Sequence, residues 1–125
     1  MFDALHFYCL QGDEWDVAID ENLRAATGTA QVIHKTPESF ASLQAESPLI
    51  FDLCLDLFNR SDQFQEGDLW ADKEVLGFLD TIRPLIMRAS LVTISLSFDC
   101  SGTVEDTRYL ASLVLPRIQA WRMAA

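Results

Sequence analysis

A short apolar stretch that contains two aspartates constrains the fold of this chain more than any other feature. Residues 48–59 begin with a proline, continue through Ile, Leu and Phe side chains, and lead into the turn-forming run Asn-Arg-Ser-Asp. An apolar run of this length between turn formers predicts a buried β-strand. Alternation along that strand puts its polar side chains on one face: Asp52, Cys54 and Asp56. The other face then carries the apolar side chains of Phe51, Leu53, Leu55 and Leu57.

Two interpretations of the aspartates follow, because a buried carboxylate needs an ion pair, a hydrogen bond or a metal. In the functional one, Asp52 and Asp56 belong to a metal or catalytic site at the carboxyl end of the strand, where open α/β sheets bind their ligands. In the structural one, Asp52 accepts hydrogen bonds from backbone or an arginine, and Asp56 begins the next loop. Spacing alone favours the structural interpretation.

Length and charge limit the classes of protein to which the chain can belong. Its 125 residues suffice for one α/β domain over residues 1–125. No apolar run reaches the roughly 18 residues of a membrane span, and the N-terminus lacks a basic signal region, so we expect a cytoplasmic protein. Nineteen acidic and nine basic residues give a formal charge of −10. Nucleic acid and anionic membranes are therefore poor partners, whereas cations or a basic peptide or protein suit this surface.

The cysteines and histidines form no familiar local motif. The three cysteines are widely spaced and, with His6 and His34, make no zinc-binding pattern. We expect free, buried thiols in a reducing compartment, and a thiol nucleophile with a histidine base stays an alternative without a supporting motif. His34 ends an expected strand, and a hydrogen-bonded structural role is favoured over a ligand or acid–base role.

The first half of the chain contains several short candidate elements. Residues 3–10 are apolar and aromatic, which is compatible with a helix or a strand, and we favour a helix. Residues 15–19 alternate apolar and acidic side chains, which indicates a strand. Residues 30–34 also predict a strand, and a helix should follow with Thr36 as its N-cap and Pro37 in its first position.

The second half of the chain has clearer signals. A long acidic loop at 59–71 should be held by Phe64, Leu69 and Trp70. A helix capped by Asp72 follows, and Pro84 should kink or end it. The remaining expected elements are a strand at 91–98, a tight turn at 99–102, and a helix capped by Thr103 and Asp106 with its apolar stripe on Leu110, Leu113, Val114, Ile118 and Trp121.

Strands that alternate with helices predict a mostly parallel sheet covered by helices, an α/β fold. The carboxyl ends of parallel strands lie along one edge of the sheet. We therefore expect Asp56 and residues 97–101 to share one rim, which is the place to look for a site.

Residues 51–58 resemble the Asp-x-Asp-x-Asp-aromatic strand of the arginase-like family that includes the peptide arginases. The resemblance continues through residues 66–70, 89–97 and 101–111. It implies the C-terminal half of an arginase/deacetylase fold, which is a three-layer α/β sandwich. It also implies manganese bound by Asp52 and Asp56, and a metal-bound hydroxide that attacks the guanidinium carbon of arginine within a peptide and releases urea.

Two differences from that family affect the expected function. Cys54 occupies the middle position of the acidic triplet, where a thiolate suits zinc better than manganese. No Asp-x-His-x-Asp segment precedes it. We therefore expect an incomplete or degenerate metal-dependent hydrolase relative. The alternative is a non-catalytic acidic interaction module that binds through its charge and an exposed sheet edge, including as a homodimer.

Overall fold

A computed structural model describes residues 4–8, 25–26, 28, 30–44 and 48–124. The chain has mixed α/β character and divides into two compact units, Met1–Ser47 and Pro48–Ala125. The expectation of one domain over residues 1–125 stays a prediction. No helix in the described ranges is long and apolar enough to cross a membrane.

The N-terminal unit contains a two-stranded parallel sheet and one short helix. Strand β1 is Ala4–Tyr8, β2 is Ala30–His34 and α1 is Pro37–Ala41. The strands pair from Ala4↔Ala30 to Tyr8↔His34. The prediction for β2 is confirmed, whereas the helix favoured for residues 3–10 is wrong. Pairing with β2 decides that segment, because aromatic side chains tolerate either conformation and only a strand can use the partner's hydrogen bonds. The strand predicted at 15–19 lies outside the described residues.

Helix α1 begins as its sequence predicts. The Thr36 hydroxyl accepts a hydrogen bond from the backbone N–H of Ser39 at 3.1 Å, and Pro37 occupies the first turn. Both residues suit these positions because the first N–H groups of a helix have no partner within the helix.

The C-terminal unit is built on a strand–helix–strand motif. Its elements in chain order are β3 (Ile50–Cys54), a 3₁₀ helix (Leu55–Phe58), α2 (Asp72–Arg88), β4 (Leu91–Ser95) and α3 (Val104–Ala124). Strands β3 and β4 pair in parallel, from Ile50↔Leu91 to Cys54↔Ser95. The predicted parallel pairing is therefore confirmed, and each unit has its own two-stranded sheet within the described residues.

The core of this unit lies on one face of the β3–β4 sheet. Phe51 and Leu53 are buried, whereas Ile50 and Asp52 on the opposite face are exposed, as alternation requires. The rings of Phe58, Trp70 and Phe78 meet edge to face, with centroids 5.1–5.9 Å apart. The helices add these buried side chains: Val75, Leu79, Ile82, Leu85, Ile86, Leu110, Val114, Ile118 and Trp121.

The ends of α2 differ from expectation. Ala71, and not Asp72, occupies the N-cap position, and the Glu74 carboxylate accepts the Ala71 N–H at 3.1 Å. The helix continues through Pro84 to Arg88. Although a proline cannot donate to the preceding turn, the last turn of α2 is held by the burial of Leu85 and Ile86.

Candidate functional site

The aspartates do not share a strand face, because β3 ends at Cys54 and Asp56 lies in the 3₁₀ helix. Leu55 and Phe58 are both fully buried. Side chains three residues apart would point to opposite faces of a strand, whereas a 3₁₀ turn aligns them. Both carboxylates are exposed, so the expectation that they are buried is wrong.

The Asp52 carboxylate has a hydrogen-bond donor on the neighbouring strand. Its carboxylate accepts a hydrogen bond from the Thr93 hydroxyl at 2.5 Å, and the two residues are register partners on β3 and β4. Cross-strand pairs of this kind stabilise a sheet locally. The structural interpretation of Asp52 thus has a specific donor, although that donor is a threonine and not backbone or an arginine.

Asp56 lies at the carboxyl ends of both strands. Its Oδ2 atom accepts a long hydrogen bond from the Ser97 hydroxyl at 3.4 Å, which confirms that Asp56 and Ser97 share a rim. The half-buried Cys54 thiol contacts the same pair. Burial and then hydrogen bonding to Asp56 raise the pKa of Cys54, and its hydrogen bond with Ser97 opposes them only in part. The thiol is therefore protonated at neutral pH.

The turn after β4 directs Ser97 toward the rim. Ser97 and Asp99 have left-handed backbone conformations, with φ of 54° and 71°. The carbonyl of Ser97 accepts bonds from the N–H groups of Cys100 and Ser101 and from the buried Ser101 hydroxyl. Since non-glycine residues rarely adopt positive φ, this conformation is set by the turn's own hydrogen bonds.

Asn59 joins the long loop to this turn, a role that sequence reasoning missed. Its Nδ2 atom donates to the carbonyls of Phe64 and Cys100, both at 3.1 Å, and its Oδ1 accepts from Ser61 and Asp68. An asparagine at the end of an apolar run was the available signal. Trp70 is buried as expected, whereas the Phe64 side chain is 62% exposed and does not anchor the loop.

The described residues at the rim supply few ligands for manganese. No three side chains of the His, Cys, Asp or Glu type converge on one point in the part of the chain that the structure describes. At the rim, the available atoms are one carboxylate, one serine hydroxyl and a thiol that holds its proton. Manganese favours several carboxylate or imidazole ligands. Manganese binding by Asp52 and Asp56 stays a prediction.

The two histidines, far apart in sequence, are in contact in the N-terminal unit. His34 Nε2 lies 2.9 Å from His6 Nδ1, and His34 Nδ1 lies 2.8 Å from the Ser39 hydroxyl. His34 is hydrogen-bonded, as predicted, whereas the preference for a structural over a ligand role stays a prediction. Sequence reasoning did not connect His34 to His6, because that contact depends on the pairing of β1 with β2. Cys54 and Cys100 are free thiols, as expected, but they are half-buried and not buried, and Cys9 lies outside the described residues.

An apolar groove follows the outer edge of β4. Its volume is about 380 Å³, and β4 and α3 contribute its apolar walls: Leu91, Val92, Ile94, Leu115 and Ile118. Its polar lining consists of Ser90, Gln119 and Arg122, with no carboxylate. The groove lies on the side of β4 away from β3, because β3 contributes no residue to it.

Comparison with known proteins gives no match of this chain to a family model, to a curated protein or to a solved structure. The arginase-like resemblance therefore stays a prediction.

Proposed function

We propose that the chain acts by binding and not by catalysis, as an acidic interaction module that associates with a second copy of itself along β4. The observation that carries this proposal is the groove beside β4. Within the described residues, β4 pairs only with β3, so its other edge keeps free backbone N–H and C=O groups. Such an edge is a template for pairing with another strand.

The exposure of the sheet supports the same proposal. Parallel sheets are normally covered on both faces. Helices α2 and α3 bury the face of Phe51 and Leu53, whereas Ile50 and Leu91 on the other face are 49% and 51% exposed. We infer that the sheet and the helices on one of its faces are two layers of a three-layer sandwich of the arginase/deacetylase kind. Further protein surface would have to supply the third layer.

Charge favours a second copy as the occupant of the groove. Two chains of charge −10 repel one another over most of their surfaces. The groove is free of carboxylates, so this face brings two copies together with the least repulsion. A two-fold axis would make the two β4 strands antiparallel neighbours in a four-stranded sheet and would cover Leu91 and Leu115. The exposed carboxylates of Asp62, Glu66 and Asp68 would remain available for a basic partner.

Analytical ultracentrifugation across a wide concentration range tests this association. Leu91→Lys and Leu115→Lys should abolish a concentration-dependent dimer by placing charge in the groove. Ile50→Lys is the control for Leu91, because the two are register partners with similar exposure and only Leu91 lines the groove. Ala120→Lys on the exposed surface of α3 is the control for Leu115. A wild-type chain that is monomeric at several hundred micromolar would contradict the proposal, as would equal dimerisation of all four variants.

A second candidate function is that of an arginase-like hydrolase relative acting on peptidyl arginine. The contact between Asp56 and Ser97 favours it, because it puts a carboxylate where parallel sheets hold their ligands. Since Cys54 replaces a carboxylate of the family pattern, further ligands would have to come from another polypeptide segment.

Manganese binding and urea release separate the two candidates. Under the hydrolase proposal, Mn²⁺ raises the melting temperature by binding the native state, Asp56→Asn removes this shift, and urea is released from an arginine peptide. The matched variant Asp52→Asn shows whether the carboxylate bonded to Thr93 takes part. An equal Mn²⁺ response in wild type and Asp56→Asn, with no urea, rejects the second candidate and leaves the first standing.

A further inference from the structure

The chain has two histidines, and the fold brings them together. His6 is the register partner of Val32, so His34 is its diagonal neighbour on the adjacent strand and the same face of the sheet. The rings are stacked, with centroids 5.2 Å apart and planes 27° apart. His6 Nδ1 and His34 Nε2 face each other at 2.9 Å, within hydrogen-bond distance. Both side chains are partly exposed and accessible from solvent.

Helix α1 holds the outer nitrogen of His34. His34 Nδ1 bonds to the Ser39 hydroxyl at 2.8 Å, and the backbone N–H of Ser39 is itself bound by the Thr36 cap. Phe40 packs edge-on against the His34 ring, with centroids 5.5 Å apart. A hydrogen bond at the second nitrogen is the usual way in which proteins orient an imidazole that binds a metal. With Nδ1–H donated to Ser39, the lone pair of His34 lies on Nε2, facing His6.

We propose that His6 and His34 together bind one divalent ion of the kind that prefers imidazole, such as Zn²⁺, through His6 Nδ1 and His34 Nε2. Water completes the coordination. Two nitrogens at 2.0–2.1 Å from one ion lie roughly 3.0–3.4 Å apart, depending on the angle between them. The observed 2.9 Å is close to this range, and each ring must also rotate so that the lone pairs of the two nitrogens, which now face each other, point at one ion. The hydrogen of the bond between the two rings moves to the outer nitrogen of His6 when the ion binds, so both rings bind the ion as neutral imidazoles.

The site differs in chemistry from the rim at Asp56, because imidazole nitrogens select borderline ions whereas carboxylates suit manganese. The zinc site does not depend on the association along β4, so failure of one proposal leaves the other untouched.

Zinc titration followed by NMR of the imidazole carbons tests the site directly. In tag-free protein every imidazole signal comes from His6 or His34. Addition of Zn²⁺ at pH 7.5 should shift both sets of signals together and saturate at one equivalent. Zinc held by thiols or carboxylates would leave the imidazole signals in place, and that result overturns the proposal, as does no binding at millimolar Zn²⁺.

Variants locate the ligands. His6→Gln and His34→Gln should each weaken Zn²⁺ binding at least tenfold by calorimetry. Ser39→Ala keeps both imidazoles and should weaken binding severalfold by loosening His34. Asp56→Asn should bind Zn²⁺ like the wild type, and circular dichroism reports whether each variant folds. If a histidine variant does not fold, the imidazole shifts of the wild-type protein still decide the question.

Discussion

Thr103 and Asp106 cap each other at the start of α3. The Asp106 carboxylate accepts the Thr103 N–H at 2.9 Å, and the Thr103 hydroxyl accepts the Asp106 N–H at 3.1 Å. The same carboxylate lies against Gly67 and Gly102, where an added Cβ would overlap it. Gly102 N–H in turn donates to the Phe64 carbonyl at 3.0 Å. One capping interaction therefore fixes the helix start, the turn after β4 and the acidic loop.

Gly67→Ala should destabilise the protein, because its new methyl group must displace either the loop or the capping carboxylate. We expect a loss of about 1–3 kcal/mol in the free energy of unfolding, measured in urea. Gly77→Ala is the control, since that glycine lies in α2 with open space around its Cβ position. It should stabilise the protein by about 0.5–1 kcal/mol. Equal effects of the two changes would contradict the close approach at Gly67.

Asp106→Ala should cost about 1 kcal/mol of stability, because it leaves the Thr103 N–H without its acceptor. Glu105→Ala removes the same charge from the same exposed turn without a capping bond. If Glu105→Ala lowers the urea midpoint less than Asp106→Ala, the difference measures the capping bond apart from the interaction of charge with the helix dipole. Similar losses in both variants would show that charge alone matters.

Arg122→Ala should destabilise the C-terminal end of α2, although Arg122 belongs to α3. The Arg122 guanidinium donates to the carbonyls of Ile86 and Ala89 at 3.0 and 2.6 Å, which satisfies the end of a neighbouring helix. Loss of charge-assisted bonds of this kind costs about 1.5–3 kcal/mol. Arg122→Lys should recover only part of the lost stability, because an ammonium group keeps the charge but lacks the planar fork of a guanidinium. Arg108→Ala, an exposed arginine on the same helix, is the control and should change thermal stability little.

Asp56→Asn should make Cys54 react faster with iodoacetamide. Burial contributes most to its raised pKa, and the hydrogen bond and charge of Asp56 add to it. Without the carboxylate the pKa falls, so more thiolate is present at pH 8 and the rate should rise severalfold. Mass spectrometry of the peptide containing Cys54 measures this, with Cys100 in the same sample as the reference. An unchanged rate would show that Asp56 does not raise the pKa of the Cys54 thiol.

The N-terminal sheet should lose stability as the pH falls. Burial, followed by the His34 charge, sets the pKa of His6 below its ordinary value of 6.5. The unfolded chain therefore takes up this proton first, and stability present above pH 6.5 is lost as the pH falls toward the lower pKa. Hydrogen exchange of β1 and β2 amides should accelerate between pH 7 and pH 5, after correction for intrinsic rates. His6→Phe should flatten the dependence, and the β3–β4 amides serve as the internal reference.

Local signals were sufficient for much of the fold. Thr36 with Pro37 and Thr103 with Asp106 mark helix starts through bonds made within four residues, so their neighbours in sequence decide them. The alternation of Phe51 and Leu53 with exposed neighbours predicted the orientation of β3 correctly. These features needed no knowledge of distant partners.

Distant partners decided the candidate sites. Leu55 and Phe58 convert the end of the predicted strand into a 3₁₀ turn because both must enter one core, and that turn moves Asp56 from the strand face to the rim. The bond of Asp52 with Thr93 joins positions 41 residues apart, and the contact of His6 with His34 joins positions 28 residues apart.

The amino-acid order by itself determined the α/β character, the parallel pairing and the caps at Thr36 and Thr103, because periodicity and capping act over a few residues. Only the tertiary structure decided which polar groups meet. Such meetings depend on strand register and on how buried side chains fill a common core, and neither is written in the spacing along the chain.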